Sequence, residues 1–248
     1  MTVALALISG AFIGAVLGFV GAGGAMLSVP ILIYLFDFTA VQATTAALAI
    51  VFAAAFAGVI PKMRTHDILY REALSVWAIG LITNIGGAFI ARHLSEEVIL
   101  SGFSAVLLLA GSSMLRAPII GKDEKRMSPL VLIFTSLAIG AMTGIFGIGG
   151  GFLAIPVLVL FFHTPPKKAA GTSLLIITLN CLTSFFAHSA EWSDISWGTP
   201  LIIATGAVVV SAYASHFSAK VPAQLLKKAF AYLLFALAAF TLMRTWVL

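Results

Sequence analysis

The sequence predicts an all-α polytopic membrane protein built from two inverted repeats, each a glycine-broken helical hairpin followed by three transmembrane helices. Three observations carry this. Hydrophobic residues make up 61% of the 248 residues and charged residues only 9%, with a mean hydropathy of +1.11. Soluble domains carry about 25% charged residues, so a soluble fold of this length could not hide so much apolar surface. Apolar segments recur along the whole chain between short polar loops. Finally, Gly14, Gly18, Gly21, Gly23, Gly24 and Pro30 return 126 residues later as Gly140, Gly144, Gly147, Gly149, Gly150 and Pro156. Six matches at one offset mark a duplication.

In chain order, the first repeat spans 1–117. It holds a hairpin over 3–36 and spans over 39–60, 72–91 and 97–115. The opening MTVALALISGAF has no basic region before it and reads as the start of the first membrane segment, with no soluble domain expected at either end. A cytoplasmic linker follows at 118–127. The second repeat, 128–248, holds a hairpin over 128–162 and spans over 169–187, 199–217 and 229–247. A span needs about 20 residues. The pieces 24–36 and 150–162 are too short to cross alone, so each is expected to turn back at its glycines. Past the hairpins the offset becomes 127: Asp67-Ile68 matches Asp194-Ile195, Phe103 matches Phe230, and Ala43-Thr44-Thr45-Ala46 is paired with Ala170-Gly171-Thr172-Ser173.

The net charge of +5 would suggest nucleic acid in a soluble protein. Here the basic residues lie in short loops, and no nucleic-acid partner is expected. Twelve of the fourteen Lys and Arg residues fall on one side of the predicted topology, and Arg92 and Arg244 fall on the other. The positive-inside rule puts the twelve in the cytoplasm of a cell (plasma or inner) membrane, with both termini outside. Each half then crosses an odd number of times, so the halves are inverted. That architecture belongs to secondary transporters that bind substrate near the midplane.

The chemistry is expected at the broken elements. Amides at the start of a helix have no intrahelical partner, and in hydrocarbon each must be satisfied. An anion meets that need, and glycine lets it approach the backbone. The candidate substrate-binding residues are Gly21, Gly23, Gly24, Gly147, Gly149, Gly150 and Gly151, with hydroxyls from Thr44, Thr45, Thr172 and Ser173 and the deeper Asn180. Pro30 and Pro156 would shape the half-helices. The widely spaced pairs Gly14/Gly18 and Gly140/Gly144 read instead as packing surfaces between helices. Asn84 and Thr178 read as links between helices, and Cys181, the sole cysteine, as packing. No acidic or basic side chain is expected within a span, which disfavours a cation carrier. Any proton coupling would fall to His188 or His216.

At these residues the chain resembles the TauE/SafE family of membrane permeases, the sulfite-exporter family. The resemblance lies in Gly-Ile-Gly-Gly-Gly with Pro156, in Ala170-Gly171-Thr172-Ser173-Leu174, and in weaker first copies where Ala25 replaces the third glycine and Thr45-Ala46 replaces Thr-Ser. It covers essentially the full length. It implies ATP-independent transport of a small sulfur-containing anion such as sulfite, sulfoacetate or thiosulfate.

An anion channel, or a permease of the same fold for another small organic anion, stands as the alternative. An enzyme is not expected, since no serine nucleophile faces a mid-span histidine and the acidic and histidine residues are too scattered for a metal site. No catalytic residue, cofactor or metal is expected. The partners expected are the small anion and the lipid bilayer, and a homodimer is kept open.

Overall fold

The computed structural model describes residues 2–22, 24–115, 128–161, 163–218 and 223–246. It is nearly all helical. Helices α1 (Thr2–Val20), α2 (Gly24–Phe36), α3 (Ala40–Arg64), α4 (Tyr70–Ala91) and α5 (Glu96–Leu115) form the first half. Helices α6 (Pro129–Phe146), α7 (Gly151–Pro156), α8 (Pro166–Ala187), α9 (Gly198–Phe217) and α10 (Ala223–Trp246) form the second. Among the described residues, seven helices are long and apolar enough to cross a bilayer, while α2 is too short. The predicted linker 118–127 lies outside the described residues, as does Gly23.

The ends follow from local chemistry. Thr39 caps α3 with a reciprocal pair: its hydroxyl accepts from the Gln42 amide at 3.4 Å, and the Gln42 side-chain oxygen accepts from the Thr39 amide at 3.2 Å. Pro129 and Pro166 open α6 and α8, where a missing N–H costs nothing. Asp37 and His163 both take left-handed φ, 56° and 54°, and beyond them Phe38 donates to Leu32 O at 3.1 Å and Thr164 to Leu158 O at 2.9 Å. These matched exits stand 126 residues apart.

Two expectations need correction. α3 runs past residue 60 to Arg64, carrying Pro61 within it, and so brings Lys62, only 4% exposed, inside a candidate span. The reading that no charged side chain enters a span does not hold at this end. The outgoing arm of the second hairpin is not one helix over 150–162 either. α7 ends at Pro156 and the chain continues as a wider π-helical turn, Val157–Phe161. α2, with Pro30 at the equivalent place, stays α-helical throughout.

α3 and α8 form the centre, with 72% and 61% of an 18-residue apolar stretch of each buried, against 28–44% in the other candidate spans. The buried face of α3 is rich in alanine (Ala43, Ala46, Ala47, Ala54, Ala55), which lets neighbouring backbones come close where lipid supplies no hydrophobic drive. α3 and α8 run antiparallel: the end of α3 at Lys62 meets the start of α8 at Gly171, and Gln42 at the start of α3 donates to Asp194 O beyond the end of α8 at 2.9 Å. α5 and α10 are also antiparallel, with Gly111 against Ala231 and Phe235, and Trp246 donating to Ser101 Oγ at 3.0 Å.

The first helix of each half packs on the fourth helix of the other, running parallel to it. In α1, Gly14 lies against Ala207 O and Gly18 against Ser211 O; in α6, Gly140 lies against Gly80 O and Gly144 against Asn84 O. Ala207 and Ser211 stand 127 residues after Gly80 and Asn84, so the two crossings repeat. These glycines are packing residues, as expected. Outside, Ile8, Ile82, Phe134 and Val209 are each more than three-fifths exposed, an apolar girdle suited to acyl chains.

Candidate functional site

The most unusual backbone lies between α6 and α7. Gly147, Gly149 and Gly150 have φ of 68°, 70° and 68°, a region that costs glycine little and other residues more. Gly147 caps α6, its amide donating to Thr143 O at 2.9 Å. Among the described residues, none accepts a hydrogen bond from the amides of Ile148, Gly149, Gly150 or Gly151.

This turn is wedged between the two central helices. A methyl group on Gly147 would lie 2.7 Å from Thr44 O, and one on Gly149 would lie 2.9 Å from both Cys181 Sγ and Ile177 Cγ2. One on Gly151 would collide with Ile177 and lie 2.7 Å from Ser173 Oγ. A methyl on Gly150 would lie 2.5 Å from Ile139 Cγ2, folding the turn back on α6.

The first turn repeats this geometry. Gly21, φ 74°, donates to Leu17 O at 2.8 Å and sits against Ala170 of α8, as Gly147 sits against Thr44 of α3. Gly24 closes on Ile13 and Leu17 as Gly150 closes on Ile139 and Thr143, again at an offset of 126. The helix starts agree, with N-caps at Thr39 and Pro165. Through this region the offset is therefore 126, and Thr44 pairs with Ala170 rather than Gly171. The extra residue of the second half enters later. One hydroxyl of the pair is missing, and the two turns are chemically unequal.

The four candidate hydroxyls separate into two kinds. Thr45 donates to Val41 O at 3.0 Å, Thr172 donates to Lys168 O at 2.7 Å and accepts from the Leu69 amide at 3.0 Å, and Ser173 donates to Gly151 O at 2.9 Å. Their protons are committed to backbone. Thr44 is different: its hydroxyl is buried and has no partner among the described residues. Pro30 is buried within α2, and Pro156 closes α7.

Asn180 is fully buried on α8, facing α4. Asn84 Nδ2 donates to Asn180 O at 3.0 Å and lies 3.4 Å from Thr183 Oγ1, which also receives Trp77 Nε1 at 3.4 Å. Thr183 and Trp77 were not singled out by the sequence, since nothing local in it shows that α4 and α8 meet there.

A family model described as sulfite exporter TauE/SafE matches residues 6–241. The chain belongs to the TauE/SafE family. A protein of Xylella fastidiosa (strain 9a5c), named a probable membrane transporter protein, is 29% identical over 96% of this chain and 94% of its own. The Bacillus subtilis (strain 168) protein YunE, named in the same words, is 26% identical over 84% and 85%. A Haemophilus influenzae (strain ATCC 51907 / DSM 11121 / KW20 / Rd) relative of that name is 28% identical over 94% and 96%.

In this TauE/SafE membrane transporter the ends of the central helices carry the charge. Lys62 Nζ donates to Ser218 Oγ at 2.7 Å, and Lys167 pairs with Asp67 at 3.0 Å. Burial opposes ionisation of Asp67, but hydrogen bonds from Thr65 and Lys167 and the Lys167 charge outweigh it and hold the carboxyl below the usual carboxylate range. At the opposite end Arg92 pairs with Glu191 at 3.3 Å and donates to Ala187 O at 3.0 Å. His188 is buried beside them. Burial pushes its imidazole pKa down, a hydrogen bond to Ser184 O opposes this, and the Arg92 charge adds to the lowering. His216 stays near the end of α9, stacked edge-on to Phe217.

Proposed function

We propose that this chain is a secondary permease that moves a small sulfur-containing anion, such as sulfite, sulfoacetate or thiosulfate, by alternating access. One observation carries the reading: the amides of Ile148, Gly149, Gly150 and Gly151 stand without acceptors in a turn that packs through Gly147 on Thr44, whose buried hydroxyl is itself unpartnered. Five N–H and O–H donors without an acidic group among them suit an oxyanion. α7 has only six residues, so the donors are the amides of the turn itself rather than a long helix dipole. Gly21, Gly23 and Gly24 would form the weaker half-site. Thr45, Thr172 and Ser173 hold the frame.

The halves, 1–117 and 128–248, are read as repeats of opposite orientation in the cell membrane. The antiparallel pairs α3/α8 and α5/α10 and the matched turns support this. The distribution of Lys and Arg then puts the loop after α3 in the cytoplasm and both termini outside.

The test is uptake into proteoliposomes by wild type and Gly150→Val, with sulfite, thiosulfate, sulfoacetate, acetate and chloride as probes. The reading expects saturable uptake of a sulfur oxyanion, lost in the variant although it inserts. The same anion at 100 times its Kd should stabilise the wild type by about 2.7 kcal/mol. Normal uptake by Gly150→Val would overturn the assignment.

A further inference from the structure

Asn84 and Asn180 meet through Asn84 Nδ2 in a fully buried place, and their side chains leave one acceptor and one donor vacant. Asn84 Nδ2 is fixed by its bond to Asn180 O, which only an N–H can make, so Asn84 Oδ1 is the free atom. Asn180 Oδ1 lies 3.5 Å from the same Nδ2, which leaves Asn180 Nδ2 free. Both residues are 0% exposed. An unmet polar group in such a place is costly, so two of them on neighbouring side chains call for a ligand.

The pair adjoins the glycine turn. Gly144 of α6 closes on Asn84 O, and Gly149 closes on Cys181, the neighbour of Asn180. Thr183, close to Asn84 Nδ2, also lines a groove of about 530 Å³ between α4 and α8 that reaches Arg92. The pair thus stands between an opening marked by the Arg92–Glu191 ion pair and the proposed anion turn. Among the described residues, the ionisable groups on the elements packed here are few. Cys181 is adjacent, Arg92 with its partner Glu191 and His188 lie about two turns away, Tyr70, Arg71, Glu72, Lys167 and Lys168 sit at the far ends of α4 and α8, and Lys62 and Arg64 of α3 stand at that same far end. α6 and α7 contribute none.

We infer that Asn84 and Asn180 select an oxyanion that still carries a proton, one presenting an acceptor oxygen to Asn180 Nδ2 and an O–H to Asn84 Oδ1 at the same end. This rests on the anion reading above and narrows it to the monoprotonated form, such as hydrogensulfite. A fully deprotonated sulfonate offers only acceptors, and would leave Asn84 Oδ1 facing another oxygen.

The experiment compares uptake of sulfite and methanesulfonate in proteoliposomes by wild type, Asn84→Leu and Asn180→Leu, across the pH range in which hydrogensulfite gives up its proton. The wild type should take up sulfite with a KM for total sulfite that falls as pH falls, and should discriminate against methanesulfonate. Asn84→Leu should lose that discrimination tenfold or more. If the variants do not fold, the wild-type profile alone decides, because uptake that follows the dianion overturns the inference. An unchanged sulfite-to-methanesulfonate ratio in a folded Asn84→Leu also overturns it, while leaving anion transport intact. Failure of the wild type to move either anion overturns the anion reading and this inference together.

Discussion

The hydroxyl of Ser173 donates to the carbonyl oxygen of Gly151 across 2.9 Å, tying the centre of α8 to the first residue after the broken turn. This bond crosses between two elements that otherwise meet through apolar contacts, among them Gly151 against Ile177 and the cluster of Ala154 with Ile176. Ser173→Ala should cost about 1 kcal/mol, the usual net worth of such a bond, plus any penalty of the orphaned carbonyl. Gly151→Ala should cost more, because the added methyl collides with Ile177. Chemical unfolding in detergent, followed by tryptophan fluorescence, would order the two variants.

Thr44 gives the opposite signature. Its hydroxyl is buried without a partner, so Thr44→Val removes an unmet group and keeps the shape. Stability should be unchanged or slightly raised, while the anion-induced stabilisation shrinks. A thermal-shift series with and without sulfite separates the two effects. A variant as ligand-responsive as the wild type would remove Thr44 from the site.

The glycine crossings should behave as a matched pair. Gly14→Ala and Gly140→Ala each drive a methyl into a backbone carbonyl of the facing helix, Ala207 O and Gly80 O. Both should lower stability by similar amounts. Gly86 on α4 has nothing within 4 Å of an added methyl, and Gly86→Ala should gain up to about 1 kcal/mol from helix propensity. Monodisperse yield and unfolding midpoint in one detergent would read all three.

His188 should make stability fall on acidification. Its folded pKa lies below the unfolded value because burial disfavours the imidazolium, and the nearby Arg92 adds to this. The unfolded chain therefore binds the proton first. The stabilisation from the neutral ring is complete above the unfolded pKa of about 6.5 and is lost as pH falls towards the folded one. His188→Gln should flatten that limb of a plot of stability against pH. A curve unchanged by the substitution would assign the acid limb to other groups.

Much of this was legible in the sequence because glycine and proline act locally. The clusters 21–24 and 147–151 announce a turn without reference to anything distant, and Gly147, Gly149 and Gly150 do adopt the left-handed backbone that glycine permits. The packing role of Gly14 and Gly140 was readable from their spacing. Partnerships were not. That Ser173 and Thr172 commit their hydroxyls to backbone, or that Asn84 meets Asn180, depends on contacts between helices far apart in the chain. The buried Lys62 was hidden because the span was read to end at residue 60, yet α3 runs on through Pro61 to Arg64. The π-helical turn after Pro156 has no counterpart after Pro30, so the repeat itself pointed the wrong way.

The exchange of first helices between the halves bears on how the protein is made. α1 leaves the ribosome well before its partner α9. Until α9 is inserted, the notch of Gly10, Gly14 and Gly18 lacks its partner, and α1 is held by its hydrophobicity and by α2, whose Gly24 closes on Ile13 and Leu17. The α1–α9 crossing can therefore form only after α8 has been made. A chain that stalls after α8 leaves α1 stranded at the rim, a visible mark for quality control to seize.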